Sequence, residues 1–204
     1  MGMDFKFIIT LFAAMVATLL VGCNNDDKIV ESQRTSIERY LTSSHNPRLI
    51  AKEDIENSIE FNPPFYEKIG LDLYRYIATY YDDGREERAE VVSGAEVELV
   101  YSAYIFKGGK PSVNMVYATN DADMIADLAE LGLNVEFWSD EPLKIKLGTT
   151  SIIKGLEKSL LGCREGDVVE AYMTPRVAYD DKGVGVVVRD TPVVWIYTIK
   201  SVVK

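Results

Sequence analysis

Polar and apolar residues alternate most cleanly over Pro142 to Leu147. There Leu143, Ile145 and Leu147 point one way and Lys144 and Lys146 the other. A period of two marks a strand with one buried face. Ala95 to Phe106 carries the same pattern, with Val97, Leu99 and Tyr101 on one side and Glu96, Glu98 and Val100 on the other. Leu71 to Tyr81 is rich in β-branched and aromatic residues and runs into the turn Asp83-Gly84. Asp167 to Thr174 and Val193 to Val203 complete the strands. Helical spacing is confined to short pieces. Lys28 to Leu41 places Val30, Ile37, Tyr40 and Leu41 near one face, and Pro47 stops it. Asp121 to Leu131 groups Met124, Ile125, Leu128 and Leu131, with Gly132 as its C-terminal cap. The third piece is Gly155 to Leu161. Strands that follow one another without a long intervening helix predict an α+β fold, an antiparallel sheet of about five to six strands rather than a doubly wound one. Such a sheet buries its apolar face against something. A short helix presenting Leu156, Leu160 and Ile153 is the natural cover, and Gly155 permits its close approach. Gly162 and Gly166 fit the tight turns into the next strand. On spacing alone, core packing accounts for the whole stretch LGTTSIIKGLEKSLLGCREGD, Leu147 to Asp167.

The N-terminus has a different character. Lys6 precedes an apolar run from Phe7 to Val21, too short to cross a bilayer as a helix, which takes about 20 residues. It suits the apolar region of a secretion signal. Its end, Leu20-Val21-Gly22-Cys23, resembles the lipobox of bacterial lipoproteins. In those proteins the cysteine is acylated and becomes the mature N-terminus. The resemblance implies a signal peptide over 1–22 and lipid on Cys23. It also implies an exported protein held at a membrane by its N-terminus, in the cell envelope. The outer membrane, with its outer surface, is the expected place, while the sequence leaves membrane and leaflet open. An ordinary signal or a short anchor is the alternative reading. The segment 23–68 then reads as a polar leash, a helix and a linker ending in Asn62-Pro63-Pro64-Phe65, and 69–204 as the folded domain.

Charge and rare residues narrow the chemistry. The chain carries a net charge of −10 over 204 residues. A nucleic-acid binder needs a basic patch, so nucleic acid is not an expected partner. The two cysteines are Cys23 and Cys163, so lipid on the first leaves the second without a disulfide partner. A single histidine, His45 in Ser-Ser-His-Asn-Pro, rules out a histidine-based triad or a multi-histidine metal site and reads as a linker residue. Asp180-Asp181 reads as turn chemistry, so no metal is expected. No Gly-rich phosphate loop is present, and no cofactor is implied.

Several motifs, in order, resemble the FKBP-type peptidyl-prolyl cis-trans isomerases. GAEVELVYSAYIFKGGK is similar to that family's tyrosine-bearing strand. PLKIKLGTTSIIKGLEKSLLGCREGD is similar to its strand, its Ile-Ile-x-Gly-Leu helix entry and its Gly-Asp turn. VVEAYMTPRVAYDDKGVG is similar to the next strand and loop, and TPVVWIYTIKSV to the closing strand. The likeness spans about Leu71 to Val203. It implies a sheet curled around one short helix and a pocket of Tyr101, Leu143, Ile152, Ile153, Leu156, Tyr179, Val187 and Trp195. In that pocket Leu156 forms the floor, and the N–H of Ile153 and the hydroxyl of Tyr179 hold carbonyls flanking a substrate proline. Tyr101 and Trp195 complete the catalytic set, while Leu143, Ile152 and Val187 contact substrate. The chain departs from the family where Tyr117-Ala118 replaces a Phe-Asp pair and Leu143 a frequent Phe. About twenty residues, Asn120 to Asp140, are inserted, Phe137 and Trp138 among them.

An X-Pro bond isomerises over about 18–20 kcal/mol and needs no nucleophile. Rotation breaks amide resonance, so the twisted state is less dipolar than either planar isomer. A dry apolar pocket therefore favours the twist, and well-placed donors add differential binding. Proline-containing polypeptides of the envelope are the implied partners. Two rivals stand beside the isomerase: a binding or chaperone module with catalysis weakened or lost, and a structural envelope lipoprotein whose pocket is plugged by the insertion. The sequence leaves the oligomeric state open.

Overall fold

The computed structural model describes residues 26–136 and 138–203. Cys23 and the apolar run before it lie outside them, as does Phe137. Among the described residues no helix is long and apolar enough to cross a membrane.

Helix α1 covers 26–39 and ends in a π turn, Tyr40–Ser44. The strands are β1 (Ile50–Ala51), β2 (Phe65–Ile69), β3 (Leu73–Ile77), β4 (Glu96–Ile105), β5 (Val116–Thr119), β6 (Leu143–Lys146), β7 (Val168–Met173) and β8 (Val193–Val203). Helix α2 (Ala122–Glu130) lies between β5 and β6, and α3 (Lys154–Leu160) between β6 and β7. One mixed sheet runs β1-β2-β3-β7-β8-β4-β5, with β6 also on β4, and every pairing is antiparallel except β1 with β2. The α+β class and the mainly antiparallel sheet agree with the sequence reading. The described strands number eight rather than five or six. The extra ones include β1 and β2, in a region that reads as linker because β1 is too short to show alternation.

One face of the sheet packs on α3. Leu156 and Leu160 join Val97, Leu99, Ile145, Val169 and Ile199 in the main core. Gly155 makes this contact possible. A Cβ there would lie 2.8 Å from Met173 Cγ, closer still to its sulfur, and 3.0 Å from the Val177 carbonyl. The opposite face is not left to water. It carries Tyr66, Tyr74, Tyr76, Tyr104 and Tyr172, and Ile37, Tyr40 and Leu41 of α1 and its terminal turn bury it. Two covered faces explain why the second half of β4 loses its alternation and runs Ser102, Ala103, Tyr104, all buried.

Two sequence expectations fail here. Leu131 is 60% exposed, so only Leu128 of the α2 face is fully buried. His45 is not a linker residue: it is 6% exposed and wedged edge-on between Tyr40 and Tyr76. Both of its ring nitrogens face acceptors, Nδ1 the Pro47 carbonyl at 2.5 Å and Nε2 the Glu170 carboxylate at 3.0 Å. That geometry suits an imidazolium, which donates from both nitrogens. Burial would lower its pKa, but the bonds to Glu170 and Pro47 outweigh burial and raise it above the usual histidine value. A raised folded pKa stabilises fully below the unfolded value, about 6.5, and that stabilisation is lost as pH rises through the folded value. The urea midpoint is therefore expected to fall from pH 6 to pH 9. His45→Gln should flatten that fall, and an unchanged slope in the variant would refute the assignment. Tyr172, which donates to the same Glu170 at 2.5 Å, stays neutral across this window because burial raises its pKa further.

The inserted segment leaves the sheet through a side chain that mimics backbone. Partners β5 and β6 share the outer edge of β4 and leave a gap between them. Asn120 fills it, accepting from Tyr101 N at 2.7 Å and donating to the Leu99 and Glu141 carbonyls at 2.9 Å each. Asp121 then caps α2 through Asp123 N and Met124 N.

Candidate active site

The chain enters α3 through a turn at Gly148, φ 79°, whose N–H is held at 2.7 Å by Glu157 Oε1. Ile152 and Ile153 follow, half-buried, and Ile153 caps α3 in extended backbone. Among the described residues no acceptor takes the Ile153 N–H. One turn on, Leu156 is buried. Opposite, on β8, Trp195 pairs with Ala103 of β4 and Ala171 of β7. Two alanines beside it leave room for the indole on that face. Tyr101, diagonal to Trp195 across β4 and β8, stacks on it with centroids 4.5 Å apart at 16°.

Tyr117 completes the group, and strand periodicity does not reveal it. The pairing of β4 with β5 steps from Ala103–Ala118 to Tyr104–Val116, so Tyr117 is the extra residue of a bulge. A bulge re-aims a side chain. Here the Tyr117 oxygen accepts from Trp195 Nε1 at 2.7 Å and shares a hydrogen bond with the Tyr179 hydroxyl at 3.2 Å. Tyr179 reaches it from the loop after the 3-10 turn Pro175–Val177. Burial raises the pKa of Tyr117 and of Tyr101 above the ordinary phenol value, so both stay neutral at any physiological pH.

Five of the eight residues expected in the pocket, Ile152, Ile153, Leu156, Tyr179 and Trp195, line one cavity of about 550 Å³. Tyr101 and Leu143 line a second, of about 470 Å³, with Tyr117, Ala118 and Trp138. The stacked Tyr101 and Trp195, with Tyr117 bonded to Trp195, stand between the two. Val187 lines neither; it is 1% exposed and belongs to the core. Lys154, Arg176 and Lys182 line the first cavity without having been foreseen. Among the described residues none from 120–140 lines the first cavity, so the plug of the structural rival has no support there, whereas Trp138 walls the second. Cys163 is fully buried, and burial pushes its thiol up to about 11, so it is chemically quiet.

The sequence pattern of the FKBP-type peptidyl-prolyl cis-trans isomerases matches residues 88–200, more than half of the chain. The chain belongs to this family. No curated protein matches it. Membership supports a peptidyl-prolyl isomerase-type function, with proline-containing peptides as substrates. The matched region of this FKBP-type chain holds β4 to β7, most of β8 and both cavities, whereas α1 and β1 to β3 lie before it.

Proposed function

We propose that this FKBP-type protein isomerises X-Pro bonds in exported polypeptides while held to the envelope by lipid on Cys23. The observation that carries the catalytic part is the open cavity with Ile152, Leu156 and Trp195 as apolar lining, and with the Ile153 N–H, unpartnered among the described residues, at its edge. A proline ring entering it leaves water, which disfavours the dipolar planar amide relative to the twisted one. The Ile153 N–H takes one flanking carbonyl. Tyr179 takes the other by turning its proton from Tyr117 to the substrate. Tyr117 then gives its own proton to the Tyr179 oxygen while still accepting from Trp195. A chain of donors in one direction strengthens the last of them. Burial keeps the proton on Tyr117, the middle member of that chain.

The test is acceleration of a proline-limited refolding reaction, or of cis–trans exchange in an X-Pro peptide followed by NMR. Tyr179→Phe is expected to lower kcat/KM about tenfold, or roughly 1.4 kcal/mol of transition-state binding, with the urea midpoint little changed. No acceleration at stoichiometric protein would sink the catalytic reading. Peptide binding without acceleration would point to a binding module, a reading in keeping with Tyr101 and Leu143 standing apart from the first cavity. The anchor is tested by the mass of the exported chain: an unacylated Cys23 removes it.

A further inference from the structure

The mouth of the first cavity is cationic on an acidic chain. Lys154, Arg176 and Lys182 line it against one acid, Asp180, whereas the whole sequence holds 32 acidic residues against 22 Lys and Arg. Arg176 is already bonded to Asp27 of α1. Lys154 and Lys182 are exposed and free of ion pairs among the described residues, where the paired lysines are Lys52, Lys68, Lys144 and Lys146. Nothing local favours a cation at Lys154: it sits in the first turn of α3, where a positive charge opposes the helix dipole. Nearby acids offset the cations only in part. Asp180 lines the cavity beside Lys154, Arg176 and Lys182, so the lining still holds more cations than acids. Glu157 keeps its charge while accepting from the Gly148 N–H, and Asp181 does not line the cavity. Beside the lysines, Val184, Val186 and Val188 are exposed on one loop, and Val184 reaches the cavity. A chain with its proline in the cavity therefore crosses a ledge that offers apolar contact and unpaired positive charge.

We infer that this site selects proline segments bearing a carboxylate side chain one or two residues from the proline. The inference rests on the proline-binding reading above and adds the chemistry of the flanking residue. The net charge of −10 repels acidic chains in general. Screening confines each effect to about 8 Å at physiological salt, so only a carboxylate close to the cavity gains from the lysines. Two exposed, unpaired cations correspond to a preference of about threefold to tenfold.

The experiment uses two peptides that differ only in Glu or Gln two residues before the proline. Exchange spectroscopy reads isomerisation and chemical-shift titration reads affinity. At low salt the Glu peptide is expected to be favoured about threefold to tenfold in Kd and in kcat/KM. The ratio should fall toward one in about 1 M salt and in Lys154→Gln/Lys182→Gln, and invert in Lys154→Glu/Lys182→Glu. A ratio near one with both peptides bound overturns the inference and leaves the isomerase reading standing. The expected binding ratio without exchange overturns the isomerase reading and leaves the charge preference. Binding of neither peptide overturns both.

Discussion

Asp167→Ala is expected to lower the unfolding free energy by about 3–5 kcal/mol, the cost of orphaning a buried charge. Asp167 is fully buried at the start of β7. Its two oxygens accept from Arg85 Nε at 2.8 Å and Arg85 Nη2 at 2.6 Å, and Arg164 N and Thr79 Oγ1 bond to them as well. Arg85 is itself buried, against the Tyr80 ring. Removing the carboxylate leaves a guanidinium in a low-dielectric site with Glu86, on the exposed side, as its remaining partner. Urea unfolding of the variant reads the loss. The double variant Arg85→Met/Asp167→Ala should recover much of it, because removing both charges also removes their desolvation. If the single variant costs under about 1 kcal/mol, the pair contributes no more than a surface ion pair does.

Trp195→Ala is expected to cost a similar amount, about 3–5 kcal/mol, and to abolish isomerisation. The indole stacks on Tyr101, rests between two alanine-bearing strands and donates to Tyr117. A cavity variant of this kind mixes folding with chemistry, so Trp195→Phe is the informative partner. It keeps an aromatic ring beside Tyr101 and deletes the N–H at the cost of a smaller ring. A single hydrogen bond is worth about 0.5–1.5 kcal/mol of stability. If the donor chain from Trp195 through Tyr117 to Tyr179 contributes to the twisted state, kcat/KM falls severalfold in Trp195→Phe while peptide affinity holds. Wild-type kcat/KM in that variant would remove Trp195 and Tyr117 from the mechanism and leave the cavity walls to act by desolvation.

The same residues show how far local pattern reaches. Alternation over Pro142 to Leu147 and Ala95 to Phe106 became β6 and β4, because a period of two is written in consecutive residues. Asp121 and Gly132 bracket α2 for equally local reasons, a side-chain cap at one end and a left-handed glycine, φ 79°, at the other. Gly155 was legible as a close approach, though its neighbours Met173 and Val177 were not. By contrast, His45 looks like any polar residue in a serine-rich turn. Its partner Glu170 lies 125 positions away, and no local signal announces it. Helix α1 was visible as an amphipathic segment. That it covers a tyrosine-rich second face of the sheet was not, because that face is assembled from β2, β3, β4 and β7 together.

Sequence alone was enough for the α+β class, the positions of the main strands, the glycine-hinged α3 and the likeness to the isomerase family, a likeness that implied Ile152, Ile153, Leu156, Tyr179 and Trp195, which line the first cavity. These follow from short-range periodicity, turn chemistry and motif order. Three-dimensional packing decided the rest: the bulge that turns Tyr117 toward Trp195, the two cavities on either side of that pair, the burial of Val187 and the cationic mouth around Lys154 and Lys182. The reason is distance along the chain. Tyr117 and Trp195 are separated by 78 positions, and which strand places them side by side is a property of the sheet's register, which is set only when every strand has its neighbours.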